Sequence, residues 1–281
     1  MDRIHPCCLT IAGSDSGGNA GVQADLRVFH GYRLHGCTVF AALTAQNPNG
    51  VYGIHHVPAD FVSAQLDAVL GTYSIASLKT GMLSDPSVIE AVAGRLRHHP
   101  EIDKVIDPVM VATSGARLTD DAAVDMLKKK LLPLARIITP NIPETEILAD
   151  VRISGMNDMK EAAKRLNGTY GCSVLVKGGH SDGSSGVAAD LLFDGAEFTA
   201  FSLPWIVNPV STHGTGCSLA SAITAELALG ADIRTAVEGA KNYVHQAITN
   251  SYFVGANCGV LGSGVRGKEL MSEGQWMKGK G

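Results

Sequence analysis

The sequence predicts an α/β fold with a mostly parallel central sheet and helices on both faces. Short β-branched or apolar runs alternate with longer amphipathic patterns along most of the chain, which is typical of repeated βαβ units. The strand-like runs lack clean polar–apolar alternation, as expected when both faces of a sheet are buried. A hydrophobic share of 45% with 32 glycines also fits a compact chain with many tight turns.

The alternation can be followed element by element through the first half of the chain. The strand–helix pairs are CCLTIAG with AGVQADLRVFHGY, CTVFAAL with ADFVSAQLDAVL, ASLKTGM with PSVIEAVAGRL, and KVIDPVMV with DDAAVDMLKKKLL. A further strand, ARIITPN, follows the last pair. Such units predict parallel strands joined by helices that cross back over the sheet.

The second half continues the pattern and adds one antiparallel feature. We predict a helix over 158–166, a strand SVLVKGG, and a hairpin that turns at Asp194-Gly195. Two helices then follow, one over 216–229 and one from Asp232. With no linker or repeat before that point, we expect a single domain over 1–251 and a loosely held Gly-rich tail over 252–281.

Composition limits the classes of partner. The formal charge of −4 and the scattered basic residues give no reason to bind nucleic acid. The apolar stretch near the N-terminus is too short to span a bilayer, so we expect no membrane association. The six cysteines show no CxxC pairing, which predicts neither a zinc site nor a disulfide framework and fits a cytoplasmic protein.

Ligands of open parallel sheets bind beyond the carboxyl ends of the strands, which directs attention to the loops there. The sharpest is THGTGC, in which Gly214, Thr215 and Gly216 precede a strongly helical apolar pattern. Free backbone amides at a helix N-terminus favour a phosphate or a phosphoryl group in transfer. An ordinary glycine-rich turn is the alternative, and the loop is not a Walker A motif.

Cys217 falls in the first turn of that predicted helix. The helix dipole and nearby amides there favour the thiolate, which predicts a lowered pKa and a role as base or polariser for a substrate hydroxyl. The alternative is a cysteine that packs as an inert small hydrophobe.

Several charged side chains fall at strand ends. Asp107 follows KVI and Glu144 lies just beyond ARIITPN, so together they could hold a hydrated Mg²⁺, although either could simply cap a turn. Lys177 ends an apolar strand, where burial is costly unless an anion meets it. Gln46 could hydrogen-bond the edge of a small heterocycle or occupy a surface turn.

The loop AGSDSGGNAG lacks GxGxxG spacing, so a dinucleotide-binding oxidoreductase is disfavoured.

The motifs occur in one order: AGSDSGG-x-AG-x-QADL, ALTAQN, KTGM, DPVMVA-x-SG, ITPN-x-PE-x-E, VLVKGGH and THGTGC. In this combination the chain resembles the hydroxymethylpyrimidine and phosphomethylpyrimidine kinase family. The resemblance implies a ribokinase-like fold, assembled as a homodimer. It also implies that Mg-ATP phosphorylates 4-amino-5-hydroxymethyl-2-methylpyrimidine and then its monophosphate, in thiamin biosynthesis.

The resemblance assigns roles by motif. It implies a pyrimidine pocket of Asp25, Gln46, Met82 and Val109; a magnesium site of Asp107 and Glu144 with Asn141 nearby; Lys177 on the ATP phosphates; and an anion hole that includes Thr215 and Gly216. At the position of Cys217, ribokinase relatives usually carry an aspartate that acts as base, whereas the pyrimidine kinases carry cysteine, as this chain does.

The chain departs from the family pattern at three positions. Asn19 stands where glycine is usual, Thr113 where lysine is frequent, and Ser218 where threonine is common. Two other functions stay open: a pyridoxal or pyridoxine kinase on the same framework, and a ligand sensor that keeps the pocket without turnover.

Overall fold

The computed structural model describes residues 5–110, 119–178 and 186–262. A nine-stranded sheet lies at its centre, in the order β3-β2-β1-β4-β5-β6-β7-β8-β9. Its strands are β1 (Cys7–Asp15), β2 (His35–Asn47), β3 (Gly50–His56), β4 (Ile75–Thr80), β5 (Asp103–Ile106), β6 (Ile137–Ile138), β7 (Ser173–Lys177), β8 (Val187–Phe193) and β9 (Phe198–Pro204). The predicted α/β class with a mostly parallel central sheet is confirmed.

Helices cross between the strands and cover the sheet. They are α1 (Gly21–Gly31), α2 (Ala59–Leu70), α3 (Pro86–Leu96), α4 (Asp121–Met126), α5 (Ile142–Ala149), α6 (Met156–Tyr170), α7 (Thr215–Ala228) and α8 (Ile233–Thr249). A π-helical turn, Leu127–Leu131, and a 3-10 turn, Leu132–Leu134, continue α4. Among the described helices, none combines the length and the hydropathy needed to cross a membrane.

The sheet is parallel at its centre and antiparallel at its edges. β1, β2, β4, β5, β6 and β7 run parallel, while β3, β8 and β9 pair antiparallel with their neighbours. The predicted turn at Asp194-Gly195 joins β8 to β9, and Asp194 Oδ1 accepts the amides of Ala196 and Glu197 at 2.9 and 2.8 Å. The predicted hairpin is confirmed.

Two apolar layers explain why the strand sequences lack alternation. Leu9 and Ile11 belong to the core on one face of β1, and Cys8 belongs to the core on the other. Val105 and Ile106 divide between the same two layers on β5. Each of these side chains is fully buried, so burial on both faces holds the central strands in place.

One strand differs from the sequence expectation. Its position beyond a predicted strand predicts a loop for TAQNPNG (44–50), but this segment forms the end of β2 and the turn into β3. Asn49-Gly50 is a turn-forming pair, and Gly53 interrupts the pattern that would have indicated a strand. The structure thereby places Gln46 on an extended strand end beside a register shift between Ala45 and Gln46.

The region after Ser251 contains a short hairpin. β10 (Tyr252–Gly255) pairs antiparallel with β11 (Cys258–Val260). Gly262 donates its amide to the carbonyl of Ala247 at 3.0 Å, so the end of this segment is tied to α8. The remainder of the predicted tail, like Thr113, lies outside the described residues, and the division into a domain and a tail stays a prediction.

Candidate active site

A cavity of about 360 Å³ opens at the carboxyl edge of the sheet, where the central strands end. The structure brings every predicted site residue into its wall except Asp25: Gln46, Met82, Asp107, Val109, Asn141, Glu144, Lys177, Gly214, Thr215, Gly216 and Cys217. Parallel strands end at one edge, so residues far apart in sequence meet there.

Backbone geometry at the start of α7 creates a set of free amides. Gly214 has φ +88°, and a Cβ at this position would collide with the carbonyl oxygen of Asn19. Thr215 donates both its amide, at 3.4 Å, and its hydroxyl, at 3.0 Å, to the carbonyl of Thr212. Within the described part of the chain, the amides of Gly216 and Cys217 donate to no acceptor. These two are therefore the donors that an anion can meet.

Asp107 provides a carboxylate with one oxygen engaged and one open. Its Oδ1 accepts the Thr139 hydroxyl at 3.0 Å and the Lys177 ammonium at 2.8 Å. Its Oδ2 points towards Gly216 and accepts no hydrogen bond from the described residues. An open carboxylate oxygen on a residue that is otherwise buried favours a cation or a proton from a ligand.

Glu144 fits both alternatives that the sequence left open, because it caps α5 and also lines the cavity. It forms a capping box with Asn141: each residue's side chain accepts the other's amide at 2.9 Å. The second oxygen accepts the amide of Met110 at 3.2 Å. Burial and the neighbouring charge of Asp107, opposed by Lys177, raise the pKa of Glu144 to about 6.

The anion that the buried Lys177 requires comes from the protein itself, because its ammonium pairs with Asp107 at 2.8 Å. Burial alone would lower the pKa of its ammonium, but Asp107 and Glu144 outweigh that and raise it, so the side chain stays charged. Its amide donates to the carbonyl of Pro140 at 2.9 Å, which fixes the strand end beside α5. With one bond to Asp107, the ammonium keeps two N–H donors that no described residue engages.

Cys217 departs from the sequence expectation. The helix N-terminus predicted a lowered pKa, but burial, aided by Asp25 and Asp107, raises the pKa of this thiol against the opposing charge of Lys79 and the Gly21 amide. The prediction was wrong because it used only the local helix and not the surrounding desolvation and acids. The resting group is a thiol.

Three predicted pocket residues, at the ends of β2, β4 and β5, line the cavity. The backbone of Gln46 is held by Ser16, which accepts its amide and donates to its carbonyl, both at 2.8 Å. Its side-chain oxygen accepts the Thr44 hydroxyl at 3.3 Å. Met82 packs over Gly13, where a Cβ would lie only 2.7 Å from the Met82 methyl. Val109 completes the wall.

The implied contact between Asp25 and a pyrimidine does not fit the structure. Asp25 is fully buried beneath the cavity, and its carboxylate accepts the Thr10 hydroxyl at 2.6 Å, the Ser221 hydroxyl at 2.6 Å and the Lys79 ammonium at 3.0 and 3.1 Å. Every lone-pair site is occupied, so no capacity remains for a ligand. Lys79, which sequence reasoning missed, is equally buried.

Two further residues beside the cavity, Asp15 and His213, have no role assigned from the sequence. Asp15 accepts the amides of Gly17, Asn19 and Ala20 at 2.8 to 2.9 Å and so shapes the loop over the cavity. Although burial opposes it, the side chain of His213 and these amides hold the pKa of Asp15 below its usual range. His213 Nε2 lies 3.8 Å from Asp15 and has no hydrogen-bond partner among the described residues.

Comparison with known proteins places this arrangement in a family. The model of the phosphomethylpyrimidine kinase family matches residues 15–262. The chain belongs to the phosphomethylpyrimidine kinase family. The match includes residues 252–262, which belong to the Gly-rich tail expected from the sequence. The predicted enzyme class, a phosphotransferase, is confirmed.

Two curated relatives illustrate the range of the family. A hydroxymethylpyrimidine/phosphomethylpyrimidine kinase of Haemophilus influenzae is 45% identical over 254 residues, covering 89% of this chain and 94% of that protein. A thiamine biosynthesis bifunctional protein of Geobacter sulfurreducens is 49% identical over 240 residues, covering 85% of this chain. This chain spans about half of the bifunctional protein, 48% of its length.

Solved structures of phosphomethylpyrimidine kinases and pyridoxal kinases are similar in fold to this chain. A phosphomethylpyrimidine kinase of Clostridium difficile has a TM-score of 0.77 at 38% identity, covering 86% of this chain and 99% of that one. An ADP complex of Bacillus subtilis pyridoxal kinase has a TM-score of 0.83 at 34% identity, covering 92% of this chain and 97% of that one. Pyridoxal kinases thus share this architecture with the family.

Proposed function

We propose that this chain is an ATP-dependent kinase that phosphorylates the hydroxymethyl group of 4-amino-5-hydroxymethyl-2-methylpyrimidine, and then its monophosphate, in thiamin biosynthesis. The observation that carries the proposal is one cavity in which the free amides of Gly216 and Cys217 face Asp107, Lys177 and Glu144. That combination supplies donors for a phosphoryl group and charges for a nucleotide. Family membership and the names of the relatives support the substrate.

Phosphoryl transfer at this site needs positioning and charge neutralisation more than covalent help. The substrate hydroxyl oxygen attacks the γ-phosphorus, and the bond from that phosphorus to the oxygen of ADP breaks. The amides of Gly216 and Cys217 receive the oxygens of the migrating group, and Lys177 neutralises charge on the phosphates. At rest Cys217 is a thiol. Once this thiol has lost its own proton to solvent, the thiolate receives the hydroxyl proton, which leaves late in a loose transition state.

The acidic residues fit a magnesium ion. Asp107 keeps an oxygen with no donor among the described residues, and Glu144 engages each of its oxygens with one amide, leaving lone pairs. Mg²⁺ prefers such oxygen ligands and keeps several waters, so one or two carboxylates suffice. When bound, the ion would neutralise charge developing on the phosphate oxygens.

Pyridoxal is the second candidate substrate because pyridoxal kinases share this fold at TM-scores above 0.8. Both substrates present a hydroxymethyl group on a small nitrogen heterocycle, and the amide of Gln46 can meet either ring edge. The two substrates differ in the ring substituents around the hydroxymethyl group, and the pocket must distinguish between these substituents.

Mass spectrometry of the products decides between these candidates. With Mg-ATP, the pyrimidine alcohol should yield a monophosphate and then a diphosphate, and ADP release should be faster than with pyridoxal. A marked preference for pyridoxal would replace the proposal with the second candidate. Thermal stabilisation by the pyrimidine without ADP release would instead indicate a ligand sensor.

We also propose a homodimer that works in the cytoplasm. The β2–β3 edge exposes apolar side chains, Leu43, Tyr52 and Ile54, which a second copy could cover. The described cysteines are all free, in agreement with a reducing compartment. Light scattering should give a mass of twice 29.3 kDa, and the monomer mass would contradict the dimer.

A further inference from the structure

Three side chains with metal-binding atoms meet at the amino edge of the sheet, at the end opposite the cavity. The Sγ atoms of Cys7 and Cys37 lie 3.5 Å apart. A ring nitrogen of His35 completes the group, and the three atoms all lie within 4.8 Å of one another. Among the described residues, this is the one His, Cys, Asp or Glu cluster of that kind.

The parallel register of β1 and β2 produces this cluster. Cys7 stands opposite His35, and Leu9 stands opposite Cys37, so the two cysteines lie diagonally on neighbouring strands. Both cysteines face the same apolar layer. His35 is exposed, and its ring stacks on Tyr73 with centroids 5.6 Å apart and planes 15° from parallel. The cluster therefore has a buried sulfur pair and a solvent-facing imidazole through which an ion can enter.

We propose that Cys7, His35 and Cys37 form a zinc site with three protein ligands and an open fourth position. Tetrahedral zinc with Zn–S bonds of about 2.3 Å requires sulfur atoms roughly 3.8 Å apart and a sulfur–nitrogen spacing of roughly 3.6 Å. The sulfur pair is within a few tenths of an ångström of that spacing. Because the ligand atoms lie within 4.8 Å of one another, the exposed imidazole needs a movement of at most about 1 Å, which a rotation of its side chain can supply.

The chemistry of the donors selects the class of ion. Two thiolates and an imidazole suit a soft d¹⁰ cation and do not suit Mg²⁺, which prefers oxygen. On binding, both thiols release their protons to solvent, and two Zn–S bonds form with no change in oxidation state. The site is thus separate in chemistry from the carboxylate site of the proposed kinase.

Distance separates the two sites as well. Cys7 precedes Asp15, in the wall of the cavity, by eight residues of one strand, which corresponds to roughly 26 Å. Zinc here would tie the first residues of β1 to β2, and an ion that binds only the folded chain stabilises it. We expect a higher thermal midpoint and an unchanged kcat, because no group of the cavity is touched.

Zinc titration of the reduced, full-length chain tests the proposal. One zinc should bind per chain at this site, and zinc at a hundred times its Kd should raise the Tm by on the order of 5 °C. Cobalt(II) should give a sulfur-to-cobalt charge-transfer band. His35→Asn, at an exposed position, should weaken binding by at least ~10-fold while leaving the apo Tm nearly unchanged.

Matched variants make each outcome informative. Cys7→Ser and Cys37→Ser should abolish the cobalt band, whereas Cys172→Ala, which removes a buried cysteine outside the cluster, should keep it. Equal zinc affinity in the unchanged chain and in His35→Asn would overturn the proposal. So would a Cys7–Cys37 disulfide that persists in the reduced preparation, or a cobalt band lost only with Cys217→Ala.

Discussion

Two buried lysine–aspartate pairs lie at the carboxyl edge of the sheet and differ in one respect. Lys79 on β4 meets Asp25 of α1 at 3.0 Å, and Lys177 on β7 meets Asp107 at 2.8 Å. Each lysine sits near the end of an apolar strand, and the pKa of each is raised despite the cost of burial, because the carboxylates beside it outweigh that cost. By charge alone the pairs are equivalent.

The two pairs differ in how many carboxylate oxygens remain available to a ligand. The Asp25 carboxylate accepts four hydrogen bonds from Thr10, Ser221 and Lys79, so it is saturated within the protein. The Asp107 carboxylate has one oxygen engaged and one open to the cavity. A saturated pair can only hold elements together, whereas a pair with an open oxygen can bind a ligand.

The saturated pair joins four elements under the cavity: β1, β4, α1 and α7. Ser221 lies one turn after Cys217 on α7, so this network fixes the helix whose first amides face the ligand. We infer that Lys79 and Asp25 support the site without touching a substrate.

Asp25→Asn should have the largest effect and should act on stability. The amide keeps the shape but removes the charge, which leaves Lys79 buried and uncompensated. Breaking a buried pair in this way costs about 3–5 kcal/mol of unfolding free energy. Urea unfolding measures it.

Asp67→Asn provides the control for that experiment. It removes an acid from an exposed pair with Arg95, at 2.8 Å, and should change the urea midpoint little. If Asp25→Asn instead kept full stability and raised only the KM for the heterocycle, Asp25 would contact the substrate as the resemblance implied, and the comparison would fail.

Asp107→Asn should act on turnover. Loss of the open carboxylate oxygen should lower kcat by about 100-fold, because a metal-binding and charge-balancing group is removed. The loss of stability should be smaller than for Asp25→Asn, since Lys177 keeps Glu144 as a neighbouring anion. Steady-state kinetics and urea unfolding on the same preparation check both parts.

Thr139→Val is the matched control for Asp107. It removes a hydrogen bond to Oδ1, at 3.0 Å, and leaves the carboxylate in place, so kcat should fall by less than ~10-fold. A large loss of stability with unchanged kcat in Asp107→Asn would make the two pairs alike and would remove the distinction drawn between them.

The sequence predicted the strand-end residues well because the βαβ pattern fixes which edge each loop occupies. Asp107, Glu144, Lys177 and the amides before α7 follow strands or open helices, so their convergence needs only the topology. The edge strand β3 was missed because its exposed, glycine-interrupted sequence carries weak periodicity.

The errors at Asp25 and Cys217 have a common cause. Asp25 falls on the buried face of α1, between Val22 and Val28, and an acid on such a stripe requires a cation. That signal was present, but the partner, Lys79, lies 54 positions away and only the tertiary structure identifies it. The pKa of Cys217 likewise depends on burial and on acids from other elements.

Cys217→Ala tests a third group, a thiol whose pKa depends on charges from both lysine–aspartate pairs. It should lower kcat by about 10-fold with substrate KM nearly unchanged, if the thiol assists removal of the hydroxyl proton. Because burial raises the pKa of this thiol, the unchanged enzyme should gain kcat towards alkaline pH, and the variant should lose that rise. Cys172→Ala should behave like the unchanged enzyme. An unaltered kcat in Cys217→Ala would show that the thiol does not assist and that the amides of Gly216 and Cys217 provide most of the rate enhancement.

Glu144 offers the smallest effect and a pH-dependent one. Its pKa of about 6 means that a proton competes with Mg²⁺ below that pH. With one proton in competition, the Mg²⁺ concentration for half-maximal rate should rise about fourfold between pH 7.5 and pH 5.5. Glu144→Gln should need more Mg²⁺ at every pH and should lose this dependence.

The same pKa has the opposite consequence for stability. The folded value lies above the ordinary 4.5, so the folded chain holds a proton that the unfolded chain has released between about pH 4.5 and pH 6. The stability that protonated Glu144 contributes is therefore present below pH 4.5 and is lost as the pH rises through 6, so Glu144→Gln should gain stability relative to the unchanged chain over that interval. A constant difference in urea midpoint across that interval would contradict a raised pKa of Glu144.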